Sequence, residues 1–177
     1  MDKRFKLLSK DIAYEGNRLK MYNERLERPD GVTVSYDLIG NKNGAAVLLV
    51  DDDGSFIMIR QYRNSVNKMS IEVPGGSKEK NESYEECASR EAVEETGYLP
   101  KKLELICESS SAVAILDEIS FLYIGKSLKK KETHFDPDEF IDIIKLTPEA
   151  ALEMIKSGEI IDSKTIILVY AYLAADK

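Results

Sequence analysis

Hydrophobic and polar residues alternate along VTVSYDL, Val32 to Leu38, placing Val32, Val34, Tyr36 and Leu38 on one face of an extended chain. Pro29, Asp30 and Gly31 supply a turn before it, and NRLKMYNERL, Asn17 to Leu26, is its expected hairpin partner. Two apolar runs follow, AAVLLV (45–50) and FIMIRQYR (56–63), and both read as strands. The DDDGS between them lacks the alternating Asp spacing and later Glu of a calcium loop, so it reads as a hairpin turn. VPGGS, Val73 to Ser77, is a glycine-rich turn leading into a helical segment from Asn81 to Gly97. Ser83 and Glu86 make a capping box there, and Gly97 suits a left-handed stop. LELICES (103–109), EISFLYIG (118–125) and FIDIIKL (140–146) predict further strands, while KSLKKK (126–131) reads as a solvated basic loop. Thr147 and Pro148 open a second helix that Gly158 closes, and a last helix covers Lys164 to Ala174. Strands interleaved with helices place the chain in the α/β or α+β class.

The 177 residues suit one domain with an appendage. With 43% hydrophobic and 32% charged residues, the composition is that of an ordinary folded globular protein. A net charge of −7 argues against a general nucleic-acid or anionic-membrane surface, so any phosphate handled here needs local arginines or a metal. Cys87 and Cys107 are too few for a disulfide framework or a zinc site and read as core thiols of a reducing compartment. The N-terminus MDKRFKLLSK has no apolar leader core. IILVYAYLAA (166–175) is too short to span a bilayer and reads as a buried helix, so a cytoplasmic protein is expected.

One stretch changes this picture. SREAVEETGY, Ser89 to Tyr98, sets Glu91, Glu94 and Glu95 at the C-terminal end of the predicted helix, where the backbone dipole is already negative. Tyr84, Ala88, Glu91 and Glu95 step by four, three and four residues and share one face, with Cys87 and Ala92 beside it. Small residues let such a helix lie close to a sheet, leaving Glu91 and Glu95 turned inward and Glu94 within reach. Either the acids form a solvated helix face or a cation sits among them. Arg90 is the only basic residue between Asn81 and Gly97, and a hard divalent ion such as Mg²⁺ or Mn²⁺ is the other source of positive charge. The shared stripe with small apolar residues, and the glycine turn just upstream, favour a cation.

The full spacing sharpens this. Gly76, five residues, Glu82, seven residues, then Arg90-Glu91-Ala92-Val93-Glu94-Glu95-Thr96-Gly97-Tyr98 resembles the Nudix box. Its departures, Ala92 and Tyr98, fall at apolar slots. RQYR (60–63) followed by EVPGG (72–76), and GEIIDSKTIILVYAYL near the C-terminus, are similar to the ADP-ribose pyrophosphatase branch of that family.

The resemblance implies a Nudix-type α/β/α sandwich with a mixed sheet over residues 43–177, and an N-terminal antiparallel strand extension over residues 1–42. It implies a homodimer through swapped N-terminal strands, with a composite site, while the net charge of −7 sets the expectation of no nucleic-acid or membrane partner. It also implies hydrolysis of a nucleoside diphosphate linked to another group, using Mg²⁺ or Mn²⁺ as cofactor. By position, Glu91, Glu94, Glu95 and the Gly75 carbonyl would hold metal, and Arg90 would orient the cluster through Glu82 or Glu94. Arg63, Arg60, Glu72 and Glu118 are expected toward the substrate. The general base would come from HFDPDEF (134–140), which offers Asp136, Asp138 and Glu139; Glu139 is favoured, and His134 is given no role. Asp117 and Glu118 form a second acidic pair, expected to be structural or to contact substrate. The segment SSSAVAILDE (109–118) lacks the proline usual in ADP-ribose hydrolases, which leaves other nucleotide sugars open. Two rivals stand beside this reading: a catalytically silent sensor on the same scaffold, and a hydrolase of another nucleotide such as a triphosphate.

Overall fold

The computed structural model describes residues 3–17, 19–132 and 140–175. The chain forms two compact units, one containing residues up to 42 together with 110–119, the other containing 43–109 and 120 onward.

The first unit is an antiparallel meander of β1 (Lys6–Glu15), β2 (Lys20–Glu27) and β3 (Thr33–Gly40). β2 and β3 pair without a register break from Lys20↔Gly40 to Glu27↔Thr33, as the alternation in Val32 to Leu38 predicts. β1 carries no clear alternation, and sequence reading passed over it; its pairing with β2 slips between Leu7 and Ser9 and again between Ile12 and Tyr14. Leu7, Leu8, Ile12, Tyr14 and Tyr36 are exposed on these strands. The 110–119 segment is stitched to β3: Ile39 N–H donates to Ile115 O, and Asp117 N–H donates to Ile39 O.

The second unit holds β4 (Gly44–Val50), β5 (Phe56–Arg63), β6 (Lys68–Glu72), β7 (Gly75–Ser77), α1 (Tyr84–Thr96), β8 (Tyr98–Ser109), β9 (Ser120–Lys130), β10 (Ile141–Leu146), α2 (Pro148–Ser157) and α3 (Ser163–Ala175). Its mixed sheet runs β10-β5-β4-β9-β8, with β6 added to β5 and β7 to β4. β4 and β9 are parallel, and the other pairs are antiparallel. Every residue of β4 is buried because both faces of the strand are covered. Ala46, Leu48 and Val50 pack with Phe56, Met58, Leu122 and residues of α2 and α3, including Ala151 and Leu168. Ala45, Val47 and Leu49 face the other way, onto Cys87, Ala88 and Ala92 of α1. The result is the expected α/β/α sandwich.

Four elements differ from the sequence reading. Gly75 and Gly76 do not simply turn: they pair with Ala46 and Ala45, because residues without side chains can press against β4. Lys68–Glu72 forms a hairpin with β5 through a turn in which Asn67 takes φ 52°. The basic run 126–130 is not loop but the end of β9, paired with β8 from Tyr98↔Lys130 to Lys102↔Lys126. Leu128 packs toward the α1 face while lysines point to solvent, so ladder pairing overrides the local charge. α3 buries Thr165, Leu168 and Val169 but exposes Tyr170, so it is half-buried rather than wholly buried. Among the described residues no helix is long and apolar enough to cross a membrane.

Leu48 has no exposed surface and sits at the centre of the larger core. Leu48→Ala is expected to lower unfolding stability by about 3 kcal/mol, measured by urea denaturation with far-UV circular dichroism.

Candidate active site

Helix α1 is started and stopped by its own sequence. The Ser83 side chain accepts from Glu86 N–H, Glu86 reaches back to Ser83 N–H at 2.7 Å, and Gly97 closes the helix at φ 72°. Cys87, Ala88 and Ala92 are fully buried, so the backbone of α1 lies close to the sheet. That closeness continues at β7, where a Cβ on Gly76 would fall on the Glu91 carboxylate, and one on Gly75 would lie 2.6 Å from Ala45 O. Glu91 and Glu95 are therefore carried inward at 9% and 3% exposure, as the helical stripe predicts.

Arg90 gathers the acids. Its Nη1 donates to Glu91 Oε1 and to Glu94 Oε2, each at 2.8 Å. Nε and Nη2 fork onto Glu82 at 3.1 and 2.9 Å, and Nη2 also reaches the Ser77 carbonyl at 3.1 Å. Glu82, Glu91, Glu94 and the β7 backbone thus share one guanidinium, whose pKa is raised by Glu82 first and then by Glu91 and Glu94. The hydrogen bonds from Arg90 hold Glu82 at about 2 against the opposing push of burial. Glu95 takes a different partner, accepting from Gly75 N–H at 2.9 Å. Burial pushes the Cys87 thiol up to about 12, so it is protonated at neutral pH and serves as packing beside Gly76 O.

The two arginines predicted to meet phosphate both rest on carboxylates. Arg63 Nε and Nη2 grip Glu72 at 2.8 and 2.6 Å. Glu72 is buried while Arg63 stays 43% exposed, so the pair holds a guanidinium at the surface with its orientation fixed. Both Glu72 oxygens are engaged, which places this residue behind Arg63. Arg60 forms an exposed pair with Asp142 across the β5–β10 ladder. In the first unit, Glu118 accepts from the Asn41 side chain and Asp117 from Asn41 N–H. Asp136, Asp138, Glu139 and His134 lie outside the described residues.

Residue-level reading missed a further contact. Thr165, in the first turn of α3, reaches the segment before β7: Val73 N–H donates to Thr165 Oγ1 at 2.9 Å. An aspartate just before an apolar helical run is an N-cap signal, so Asp162 as the cap was legible; the long-range partner of Thr165 was not.

Among the described residues, no three acidic, histidine or cysteine side chains stand in a finished metal shell. Arg90 and the Gly75 amide engage the carboxylates instead. The donors still fit a hard divalent cation, since all are oxygens, and the missing Cβ of Gly76 leaves room for the Glu91 carboxylate against β7. Glu94, more than a third exposed, lies toward solvent.

The Glu82–Arg90 fork has a pH signature. A carboxyl lowered from 4.5 to about 2 on folding stabilises the fold above its ordinary pKa and loses that contribution as pH falls toward 2. The stability deficit of Glu82→Gln relative to wild type should be largest above pH 4.5 and shrink toward pH 2, measured by urea denaturation across that range.

Comparison with known proteins agrees with this geometry. The family model for the NUDIX domain matches residues 40–168. The chain is 35% identical over 166 residues to a methanol dehydrogenase activator of Bacillus methanolicus, covering 93% of this chain and 90% of that one. It is 33% identical over 162 residues to an ADP-ribose pyrophosphatase of Bacillus subtilis (strain 168), covering 90% and 88%. A crystal structure of an ADP compounds hydrolase superposes with a TM-score of 0.85 over 97% of this chain and 94% of that one; at 18% identity this likeness speaks for the fold alone. With the box at the close contact between α1 and β7, and the domain match spanning most of the sequence, the chain belongs to the Nudix family of hydrolases.

Proposed function

We propose that this protein hydrolyses the pyrophosphate of ADP-ribose or a related nucleoside diphosphate sugar, releasing a nucleoside monophosphate and a sugar phosphate. The observation that carries the reading is the carboxylate set on α1, drawn against the glycine strand β7 by Arg90 and the Gly75 amide.

In this reading Glu91, Glu94, Glu95 and the Gly75 carbonyl hold Mg²⁺, or Mn²⁺ in its place. A divalent cation bound there would supply charge to offset the pyrophosphate and acidity to an attacking water. Arg90 and Glu82 keep the carboxylates in register without touching substrate. Arg63, oriented by Glu72, offers forked donors to a phosphate, and Arg60 and Glu118 contribute at the substrate's periphery. Glu139 takes the proton from the attacking water. The exposed apolar residues of β1–β3 suit a homodimer formed through these strands, in the cytoplasm.

One relative's description as a methanol dehydrogenase activator gives a second reading, a regulator that binds a nucleotide and acts on a partner enzyme. The complete glutamate set favours turnover, because a silent binder does not need that charge density.

A panel of nucleotide sugars, dinucleotides and triphosphates with and without Mg²⁺ separates the two. Metal-dependent release of a nucleoside monophosphate is expected from a nucleoside diphosphate sugar, with kcat lowered on the order of 100-fold in Glu95→Gln. Ligand binding with no turnover of any compound would support the regulator. Glu139→Gln should lower kcat by roughly 10²-fold or more with little change in binding; an unchanged rate moves the base to another acid. Light scattering should give twice the chain mass, and a monomer would contradict the strand-mediated dimer.

A further inference from the structure

In the segment Asp162-Ser163-Lys164-Thr165, the last residue lies 92 positions along the chain from the Val73 backbone it touches. Thr165 has no exposed surface, and its hydroxyl is used in both directions. The hydroxyl donates to Asp162 Oδ2 at 2.8 Å and accepts the Val73 amide at 2.9 Å. Asp162 Oδ2 also accepts the Thr165 amide at 2.9 Å, and Oδ1 meets Lys164 Nζ at 2.6 Å. Burial pushes the Asp162 carboxyl up, but Lys164 and the Thr165 donors outweigh it and leave it below its ordinary value. Asp162 is therefore a charged acceptor, and it fixes the direction of the Thr165 proton.

Val73 and the two residues after it are gripped one after another. Val73 N–H goes to Thr165 on α3, Pro74 O accepts from Val47 N–H on β4, and Gly75 N–H goes to Glu95 on α1. Two of these contacts come from the sheet and the acidic helix. The third comes from the far side of the sheet, through a fully buried threonine, backed by the half-buried Asp162, on the helix that packs with Leu48 and Phe56. A polar side chain at this depth is costly unless its hydrogen bonds are complete. Here they are complete, and they terminate on the strand entry to Gly75. Asp162 and Glu95 both also act electrostatically on Arg63, so the start of α3 faces the same locus as the forked guanidinium.

We propose that Thr165, oriented by Asp162, is a positioning residue that sets the Val73–Gly75 backbone so that Gly75 meets Glu95. The inference rests on the reading of Glu95 and Gly75 as cation-binding groups. Thr165→Val removes the hydroxyl at nearly constant volume, whereas Thr165→Ser keeps it.

The test combines amide hydrogen exchange by NMR, Mn²⁺ titration, and steady-state kinetics well below the unfolding temperature. In Thr165→Val the Val73 amide loses its acceptor under any account. The deciding readout is Gly75, two residues on, whose exchange should quicken on the order of tenfold. The Mn²⁺ dissociation constant should rise several-fold and kcat fall roughly tenfold with KM little changed, and Thr165→Ser should restore all three. A Thr165→Val protein that is less stable, yet keeps wild-type Gly75 exchange, Mn²⁺ affinity and kcat, overturns the proposal. If Thr165→Val does not fold, Asp162→Asn decides through the same Gly75 and Mn²⁺ readouts: a shift supports positioning and wild-type values overturn it. Should the wild type turn over no nucleotide sugar, the hydrolase reading fails, while exchange and Mn²⁺ binding still decide the role of Thr165.

Discussion

The site depends on one close approach, that of helix α1 to the glycine strand β7. Side chains are absent where the two meet: Gly75 and Gly76 on the strand face Glu95 and Glu91 on the helix, and alanines lie beneath. Without that proximity the glutamates would project from a helix end whose dipole repels them. With it, they are drawn inward to meet backbone amides and a guanidinium. The glycines are required by space rather than by turn conformation, since neither takes a positive φ.

Charge balance follows from that contact. Three acids at a negative helix end need positive charge, and Arg90 supplies one equivalent while spanning Glu82, Glu91, Glu94 and the Ser77 carbonyl. One cation against four carboxylates leaves the cluster strongly negative. A hard divalent ion is the simplest completion of that balance, and a pyrophosphate is a substrate whose charge such an ion would offset. The same economy explains the paired arginines, each kept in place by a carboxylate from its own sheet.

Much of this was legible because it is local. The capping box at Ser83, the stop at Gly97 and the inward stripe of Ala88, Glu91 and Glu95 all lie within one helix, where spacing maps directly onto faces. The strands Ala45–Val50 and, over Phe56–Ile59, β5 were legible because continuous apolarity signals burial on both faces. What escaped was nonlocal or featureless in pattern. β1 has no alternation, Gly75–Ser77 looks like a turn until β4 is beside it, and the lysine run ending β9 hides a strand held by its ladder. Glu72 reads as a substrate ligand in isolation, and only the fold shows both its oxygens on Arg63. The reach of Thr165 to Val73 spans 92 residues of sequence and has no sequence signature at all.

The most direct measurement is calorimetric titration of Mn²⁺ into folded wild type and Gly76→Ala. A methyl at Gly76 would first strike the end of the flexible Glu91 side chain, which can swing away and leave the fold intact while displacing one carboxylate. Wild type should bind Mn²⁺, and Gly76→Ala should retain its secondary structure while its affinity falls at least tenfold. A Gly76→Ala protein that binds Mn²⁺ as wild type does, or a wild type that binds none, would contradict the claim that the contact between α1 and β7 builds a cation site.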